Sequence, residues 1–540
     1  MPLINSPSIA ACRTSSLIFD ILTSVNGRYE SESGFSVSRR RVHIIAPRFL
    51  TQDPFCRTMY GALFQDRRQV LCGNAEDIAV LGRATEWLSA NIERWLSHKS
   101  GFKISESYIM KLRFVNRFFK LVERCFKNHF IKPIKHRLKY ELAKKYRYIL
   151  RVFGKVCFIG VTGSCGKTTT TELIAAILAK EGQVRKGSHE NTTIYIAKTI
   201  LTVSPRHRFC VNEVSADIPG EMGKSAKLLK PQIGVVTHVG QDHYSKYRNL
   251  ESTAAEKGKL VEALPVNGVA VLNADDPYVY DMRKRTRAKV VTYGLSADAI
   301  VRGECVSCAW PRPMSLDVCY AEKRLHVQTK LLGEHWAYAV LASLSTAIAA
   351  GVSLERAVQT VKTFEPMPYR MSPNETPDGV TFISDNWKSP LWTIPASLDF
   401  MRTAKAERKV VVIGSISDTP KSFYHRYKTV IRQALDIVDK IIFVGEHAYS
   451  ALRARPNPED ERIMAFGTLY QLNSFLNDYL KAGDLILLKG TENVDHLQRI
   501  ILSRTSDIDC WREHCEKKRF CSDCRLLHSS FVPTDEVHLS

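Results

Sequence analysis

The stretch beginning at Val156, VCFIGVTGSCGKTTTTELIAAILAK, restricts the fold more than any other part of the chain. Val156, Phe158 and Ile159 read as a buried strand, and Ile174, Ile177 and Leu178 supply the i, i+3, i+4 stripe of a helix. Between them runs Gly163-Ser164-Cys165-Gly166, whose glycines let the backbone turn tightly and aim its N–H groups at an anion on a helix N-terminus. Lys167 then reaches terminal phosphates, and the Thr168 hydroxyl, followed by Thr169, is placed for Mg²⁺. The spacing G-x-x-x-x-G-K-[ST] is not met, because Val161 stands where its first glycine belongs. A glycine-rich loop between a strand and a helix is expected to bind nucleotide.

From Val156 onward, strand-like and helix-like segments alternate, as in α/β layers with a parallel sheet. The segment RFCVNEVS delivers Glu213 to a strand end, and IGVVTHVGQDH delivers Asp242 and His243. Ligands gather at the carboxyl ends of strands in open α/β sheets, where the phosphate loop also lies. A carboxylate and an imidazole there could complete the shell of a phosphate-bound metal, although each alone is also an ordinary core or surface residue.

The 540 residues suffice for about three domains with ample core. No window approaches ~18 uninterrupted apolar residues, so no spanning helix is expected, and no secretory signal is read at the start. Fourteen scattered cysteines fit a reducing, cytoplasmic setting. The formal charge of +22 is concentrated, since residues 101–155 hold 16 Lys or Arg against 3 Glu. There Val115, Phe118, Phe119, Val122 and Phe126 form one helical stripe; after Pro133, Leu138, Leu142, Tyr146, Ile149 and Phe153 form another. Two basic amphipathic helices suit an anionic membrane at its inner face, nucleic acid, or docking on the next domain. The aromatics lie on the apolar stripes rather than among the charges, so nucleic acid is not the expected partner. Residues 1–100 carry no readable motif.

Several motifs in order resemble the Mur ligase family, the ATP-dependent amide ligases of peptidoglycan precursor synthesis. TGSCGKTT matches the family loop T-G-x-x-G-K-T/S, HVGQDHYSKY resembles N-[IV]-x-x-D/A-H-L, AEKGKL resembles A-K-x-E-[IL], and AVLNADDP matches the adenine-side motif. The similarity runs from about residue 156 to 503. VVVIGSISDTPKSFYHR and GDLILLKGTENVDHLQRI look most like the branch adding D-alanyl-D-alanine, whereas SDNWKSP looks closer to the branch adding the third residue and to cyanophycin synthetase.

The resemblance implies an α/β protein with a central P-loop-type ATPase domain and parallel sheet (156–365) and a C-terminal Rossmann-like α/β domain (366–505). A helical basic region (101–155) and residues 1–100 precede them, and a Cys-rich tail (506–540) follows. It implies that a small-molecule carboxylate attacks the γ-phosphate of ATP to give an acyl phosphate, and that an amino-acid or peptide amine then displaces phosphate. Carried over by position, Lys167, Glu213, His243 and Lys257 are the catalytic set. Lys167 holds the β/γ-phosphates, Thr168 and Glu213 the first Mg²⁺, and His243 the second, beside Lys257, which the family carbamylates. Asn273 and Asp276 lie on the adenine side, and Arg370, Asp385 and Lys489 come from the C-terminal domain.

Four departures shape the expected substrate. Trp336, in GEHWAYA, replaces an asparagine expected near adenine and can itself stack on a purine. Lys388 stands where the related branch has histidine, and Ser415 replaces the carboxylate of G-D-M-x-E-L. The basic helices do not resemble the family's domain for the UDP-sugar, so a substrate other than the standard UDP-linked peptide is expected. Alternatives are a polymer ligase like cyanophycin or polyglutamate synthetase, and a regulatory protein that binds nucleotide without ligation. In the tail, Cys510, Cys515, Cys521 and Cys524 are spaced C-x4-C-x5-C-x2-C, which suits structural Zn²⁺ or free, redox-active thiols. Cys305, Cys308 and Cys319 read as ordinary buried cysteines.

Overall fold

The computed structural model describes residues 132–529, except 189–190, 216–217, 242–245, 248, 514 and 516–519. The chain divides into two units, 1–123 and 124–540, and every described residue belongs to the second. The first basic stripe and residues 1–100 therefore lie outside the described residues, as do Asp242 and His243.

The first described element is helix α1 (Lys132–Val152), followed by β1 (Cys157–Thr162), α2 (Lys167–Ala179), β2 (Val184–Gly187), α3 (Thr193–Leu201), β3 (Phe209–Glu213), α4 (Glu221–Leu229) and β4 (Ile233–Val236). Next come α5 (Leu250–Glu262), β5 (Val269–Asn273), α6 (Pro277–Asp281), β6 (Lys289–Gly294), β7 (Val301–Ala309), β8 (Arg312–Tyr320), β9 (Lys323–Gln328) and α7 (Ala337–Ala349). The nine strands form one sheet in the order β2-β3-β1-β4-β5-β6-β7-β8-β9. Strands β1 to β6 pair in parallel; β7, β8 and β9 close the sheet as an antiparallel meander. Burial on both faces explains the nearly continuous apolar runs of the parallel strands. Alternation along β1 sends Phe158 to one cluster with Ile196, Leu229 and Leu260. Ile159 and Val161 face the other, with Leu173, Ile177 and Leu341.

A second sheet of six strands follows: β10 (Ser372–Glu375), β11 (Thr381–Asp385), β12 (Lys409–Ile413), β13 (Lys440–Val444), β14 (Ile463–Phe466) and β15 (Leu485–Lys489). Their order is β10-β11-β15-β12-β13-β14, parallel apart from the β10–β11 edge. The expected α/β architecture with parallel sheets is present. One face of the second sheet, through Val410, Val412, Ile486 and Leu488, packs with Ile508, Trp511 and Leu527 of the tail.

Three local expectations are corrected. The strand expected through IGVVTHVGQDH ends at Val236, and the chain runs on as a loop. Helix α1 forms, but it docks mainly through Ala143, Arg147 and Leu150, and of the apolar stripe only Tyr146 joins that contact. Tyr146, half-buried, anchors it by donating its hydroxyl to the Val203 carbonyl at 2.7 Å. Leu138 and Phe153 remain 59% and 80% exposed. Among the cysteines expected to be buried, Cys308 is buried and Cys319 half-buried, whereas Cys305 is exposed. Among the described residues no helix is long and apolar enough to cross a membrane.

Candidate nucleotide and metal site

The candidate phosphate loop is shaped by its two glycines and by the neighbouring strand. Gly166 caps α2 in the left-handed region at φ 74°, and Gly163 lies at φ 149°. A Cβ on Gly163 would fall 1.8 Å from Thr237 Oγ1, so no other residue fits that approach. Thr237, just after β4, donates its hydroxyl to the Cys165 carbonyl at 2.6 Å. Ser164 N–H donates to the His238 carbonyl at 2.7 Å, and the Gly240 N–H donates to Ser164 Oγ at 2.9 Å. The loop is thus braced along one side by residues 237–240.

The predicted chemical groups converge here. The Val161↔Glu213 register of β1 and β3 sets Glu213 beside the loop at the carboxyl end of the sheet. Thr168, first turn of α2, donates its hydroxyl to Glu213 Oε2 at 2.9 Å. Asn191 Nδ2 donates to Glu213 Oε1 at 3.0 Å. Burial alone would raise the Glu213 pKa, but Lys167, Asn191, Arg370 and Thr168 together carry it below the ordinary carboxylate range. Lys167 Nζ donates to the Gly163 carbonyl at 2.7 Å. The buried Lys257, brought by α5, donates to the same carbonyl at 3.2 Å. From the segment before the second sheet, Arg370 Nη2 donates to Thr168 Oγ1 at 3.2 Å. Thr169, buried next to Thr168, has an Oγ1 with no hydrogen-bond partner among the described residues.

Other expected positions form a neighbouring layer. Asn273 Nδ2 donates to the Thr237 carbonyl at 3.0 Å. Asp276 accepts from the Val239 N–H at 2.8 Å and caps α6 through the Tyr278 and Val279 N–H groups. Both residues therefore hold the loop after β4 in place. Asp385 and Lys489 face each other across the parallel β11–β15 pair, and Lys489 Nζ lies 2.5 Å from Asp385 Oδ2. Ser397 Oγ donates to that same oxygen at 2.6 Å. Trp336 is buried against His335, ring centroids 4.8 Å apart, and its indole N–H has no partner among the described residues. Desolvation, only partly offset by Asp385, pushes His335 down to about 4, so it is neutral at pH 7. Beside Ser415 a carboxylate returns from elsewhere: Ser415 N–H and Oγ both donate to Asp495 Oδ2 at 2.9 Å.

Sequence reasoning missed Asn191 and Thr237, and it missed Trp392. Trp392 Nε1 donates to the Gln241 carbonyl at 3.0 Å. Its ring lies against Gly240, where a Cβ would approach to 2.6 Å. No motif flags these residues; the glycine at Gly240, between Val239 and Gln241, is their one sequence trace. The four tail cysteines line a separate small cavity together.

Residues 161–347 match the family described as the Mur ligase middle domain. A UDP-N-acetylmuramoyl-tripeptide–D-alanyl-D-alanine ligase of Mycobacterium tuberculosis is 30% identical over 311 residues, covering 54% of this chain and 59% of that protein. The ligase of the same name from Synechocystis sp. is 28% identical over 341 residues, covering 62% and 72%. This chain thus spans 59% of the length of the first curated relatives it matches. Among solved structures, MurF from Acinetobacter baumannii superimposes with a TM-score of 0.62 at 20% identity, covering 69% of this chain and 81% of that one. The MurF ligase of Thermotoga maritima in complex with ADP gives 0.58 at 18% identity, covering 68% and 84%. At such identities these two structures speak to the fold alone.

Proposed function

We propose that this chain, a member of the Mur ligase family resembling its MurF-type branch, is an ATP-dependent ligase that joins a small-molecule carboxylate to an amino-acid or peptide amine. The observation that carries this reading is the contact of Arg370 with Thr168, which brings a cation from beside the second sheet onto the phosphate loop of the first. A protein that only bound nucleotide has no need of such closure over the terminal phosphates.

The residues present fit both ATP and Mg²⁺. The space beside Gly166, where a Cβ would meet nothing closer than Thr237 Cβ at 4.0 Å, leaves room for close approach by phosphate. The buried Glu213 carboxylate, held ionised, and the Thr168 hydroxyl offer the hard oxygen donors that Mg²⁺ takes. When bound, Mg²⁺ supplies charge neutralisation where two anions must meet. Lys167 and Arg370 add fixed positive charge on either side of Thr168, stabilising negative charge that builds on the transferred phosphoryl group. The substrate carboxylate oxygen bonds to γ-phosphorus as ADP leaves; the amine nitrogen then bonds to the acyl carbon as phosphate leaves. Trp392, bonded to the Gln241 carbonyl and packed on Gly240, fixes the loop after β4 that braces Ser164. Lys257 is the proposed carbamylation position: conversion would replace one of two cations on the Gly163 carbonyl by an anion that pairs with Lys167. His243, outside the described residues, is proposed for the second metal.

The acceptor is proposed to differ from the standard UDP-linked peptide, because residues 101–155 do not resemble the family's domain for the UDP-sugar. Trapping the acyl phosphate with hydroxylamine tests both statements. ATP-dependent hydroxamate should form with another carboxylate in a panel and not with UDP-MurNAc-tripeptide. Equal yield with that tripeptide would remove the substrate proposal, and no hydroxamate from any carboxylate would favour a nucleotide-binding regulatory protein. Zinc has no step in this chemistry, so zinc on the tail would be structural.

The exposed face of α1 supports peripheral contact with an anionic membrane. Ile134, Leu138, Leu142, Ile149 and Phe153 form an exposed stripe on a helix whose polar positions are mostly Lys and Arg. The protein is expected to sediment with anionic vesicles and to leave them as salt is raised, since exposed charges are screened within about 10 Å at 0.1 M. Equal binding to neutral vesicles, or none to either, would reject the membrane role.

A further inference from the structure

We propose that Cys510, Cys515, Cys521 and Cys524 bind one zinc ion as a closed four-thiolate site, which pins the tail to the second sheet. All four line one small, partly open cavity of about 10 Å³, room for roughly one water-sized sphere. The turn Cys521–Asp523 sets Cys521 and Cys524 at its two ends, with the Cys524 N–H on the Cys521 carbonyl at 3.1 Å. Cys510 joins them because its N–H donates to the Leu527 carbonyl at 3.1 Å. All four are free thiols rather than disulfides.

The charges around the cavity suit thiolates. Arg499 Nε donates to Cys521 Sγ at 3.3 Å, and Arg512 Nη1 donates to Cys510 Sγ at 3.3 Å. A neutral thiol is a weak acceptor, whereas a guanidinium N–H on a thiolate is a charge-assisted bond. Four thiolates around Zn²⁺ carry two net negative charges, and two guanidinium groups face them. Among the described residues the one group whose ligand atoms already lie within 4.8 Å of one another is mixed: Glu492, His496 and Cys521. Glu492 Oε2 already accepts from Asn386 Nδ2 at 2.6 Å, while Glu492 Oε1 and His496 Nε2 are buried with no hydrogen-bond partner among the described residues. Three mixed ligands, however, leave zinc short of a closed shell, while three further thiols stand on the cavity wall. Soft thiolates are the better zinc donors. His496 is then a neighbour of Cys521, at 3.6 Å, and not a ligand.

The tail has little else to order it. Its one regular described element is a three-residue turn, and a few apolar side chains, Ile508, Trp511 and Leu527, seat it on the sheet. In so short a segment metal binding supplies much of the folding energy. Pinning matters for the site described above. Phe520, adjacent to Cys521, stacks on Tyr369 at 5.0 Å and tilts against Trp387 at 5.7 Å. Tyr369 precedes Arg370, whose guanidinium lies 5.6 Å from the Trp387 ring centroid. The zinc knuckle therefore acts as a positioning element for Arg370.

Metal analysis of the reduced full-length protein tests this without any ATP turnover, so its failure would leave the ligase reading standing. About one zinc per chain is expected after dialysis, and exchange for Co²⁺ should give thiolate-to-metal charge-transfer absorption with visible tetrahedral bands. Cys524→Ser should lose the metal, and His496→Ala should retain it. Wild-type protein without zinc and without the cobalt bands overturns the site. So does loss of zinc in His496→Ala with retention in Cys524→Ser. The cobalt spectrum is read on wild-type protein, so a variant that fails to fold does not shield the proposal.

Discussion

Lys167→Ala is expected to lower ATP turnover by roughly 10²–10³-fold, in line with removal of one preorganised charge from a transition state. The Lys167 ammonium stands 2.7 Å from the Gly163 carbonyl, at the mouth of the loop, and half-buried. Alanine there removes the cation best placed for the β/γ-phosphates. It also removes the foremost charge that holds Glu213 ionised against its burial. The carboxylate proposed for Mg²⁺ is thereby weakened together with the proposed phosphate contact, and the two losses act in one direction. Stability should change little, because the side chain fills no core. Coupled ADP release and circular dichroism on the purified variant measure both quantities. Near-wild-type turnover with the true substrates would refute the assignment of this loop.

Lys257→Ala is expected to be inactive and to regain part of its activity in high acetate. Lys257 is buried at 4% relative exposure, and its Nζ shares one carbonyl with Lys167. Two ammonium groups converging on a single oxygen repel each other; a carbamate in place of one ammonium turns repulsion into pairing. A small carboxylate entering the space left by alanine would restore the anion without the tether. Wild-type activity should also depend on bicarbonate. An intact mass showing bare lysine in fully active, Mg²⁺-loaded protein would remove the carbamate from the mechanism. A lysine with no chemical role predicts unchanged turnover in the variant.

The sequence was most legible where local chemistry and fold demand the same residues. Gly163, Gly166, Lys167 and Thr168 announce the phosphate loop because turn geometry, helix start and ligand chemistry all act within six residues. Glu213 was readable because it ends a strand. Asn191 was not, because it sits in a polar connection whose conformation is decided by a partner 22 positions away. Thr237 and Trp392 are equally silent, since their roles exist only once distant segments meet. Helix α1 shows the limit of periodicity. Its stripe of large apolar residues forms as expected, yet small Ala143 and the half-turn around Leu150 make the contact. Periodicity reports which residues share a face; it does not say which face meets the neighbour. The exposure of Cys305 has the same cause, for an antiparallel meander at the sheet end was not legible from the preceding α/β pattern.

The bracing of the phosphate loop sets an order of events during synthesis. Strand β1 pairs with β3 and β4, not with its nearest neighbour in sequence, and the loop leans on Thr237, His238 and Gly240. Such long-range pairings form late, because the intervening chain must close first. A nascent chain that has emerged only as far as α4 carries every letter of the loop but not the wall that gives it shape. Nucleotide cannot template the early steps of folding; it can reward only a sheet already assembled through β4. Once that point is passed, ligand binding draws the equilibrium toward the assembled state by mass action, so ATP abundance would bear on the yield of mature protein and not on how its folding begins.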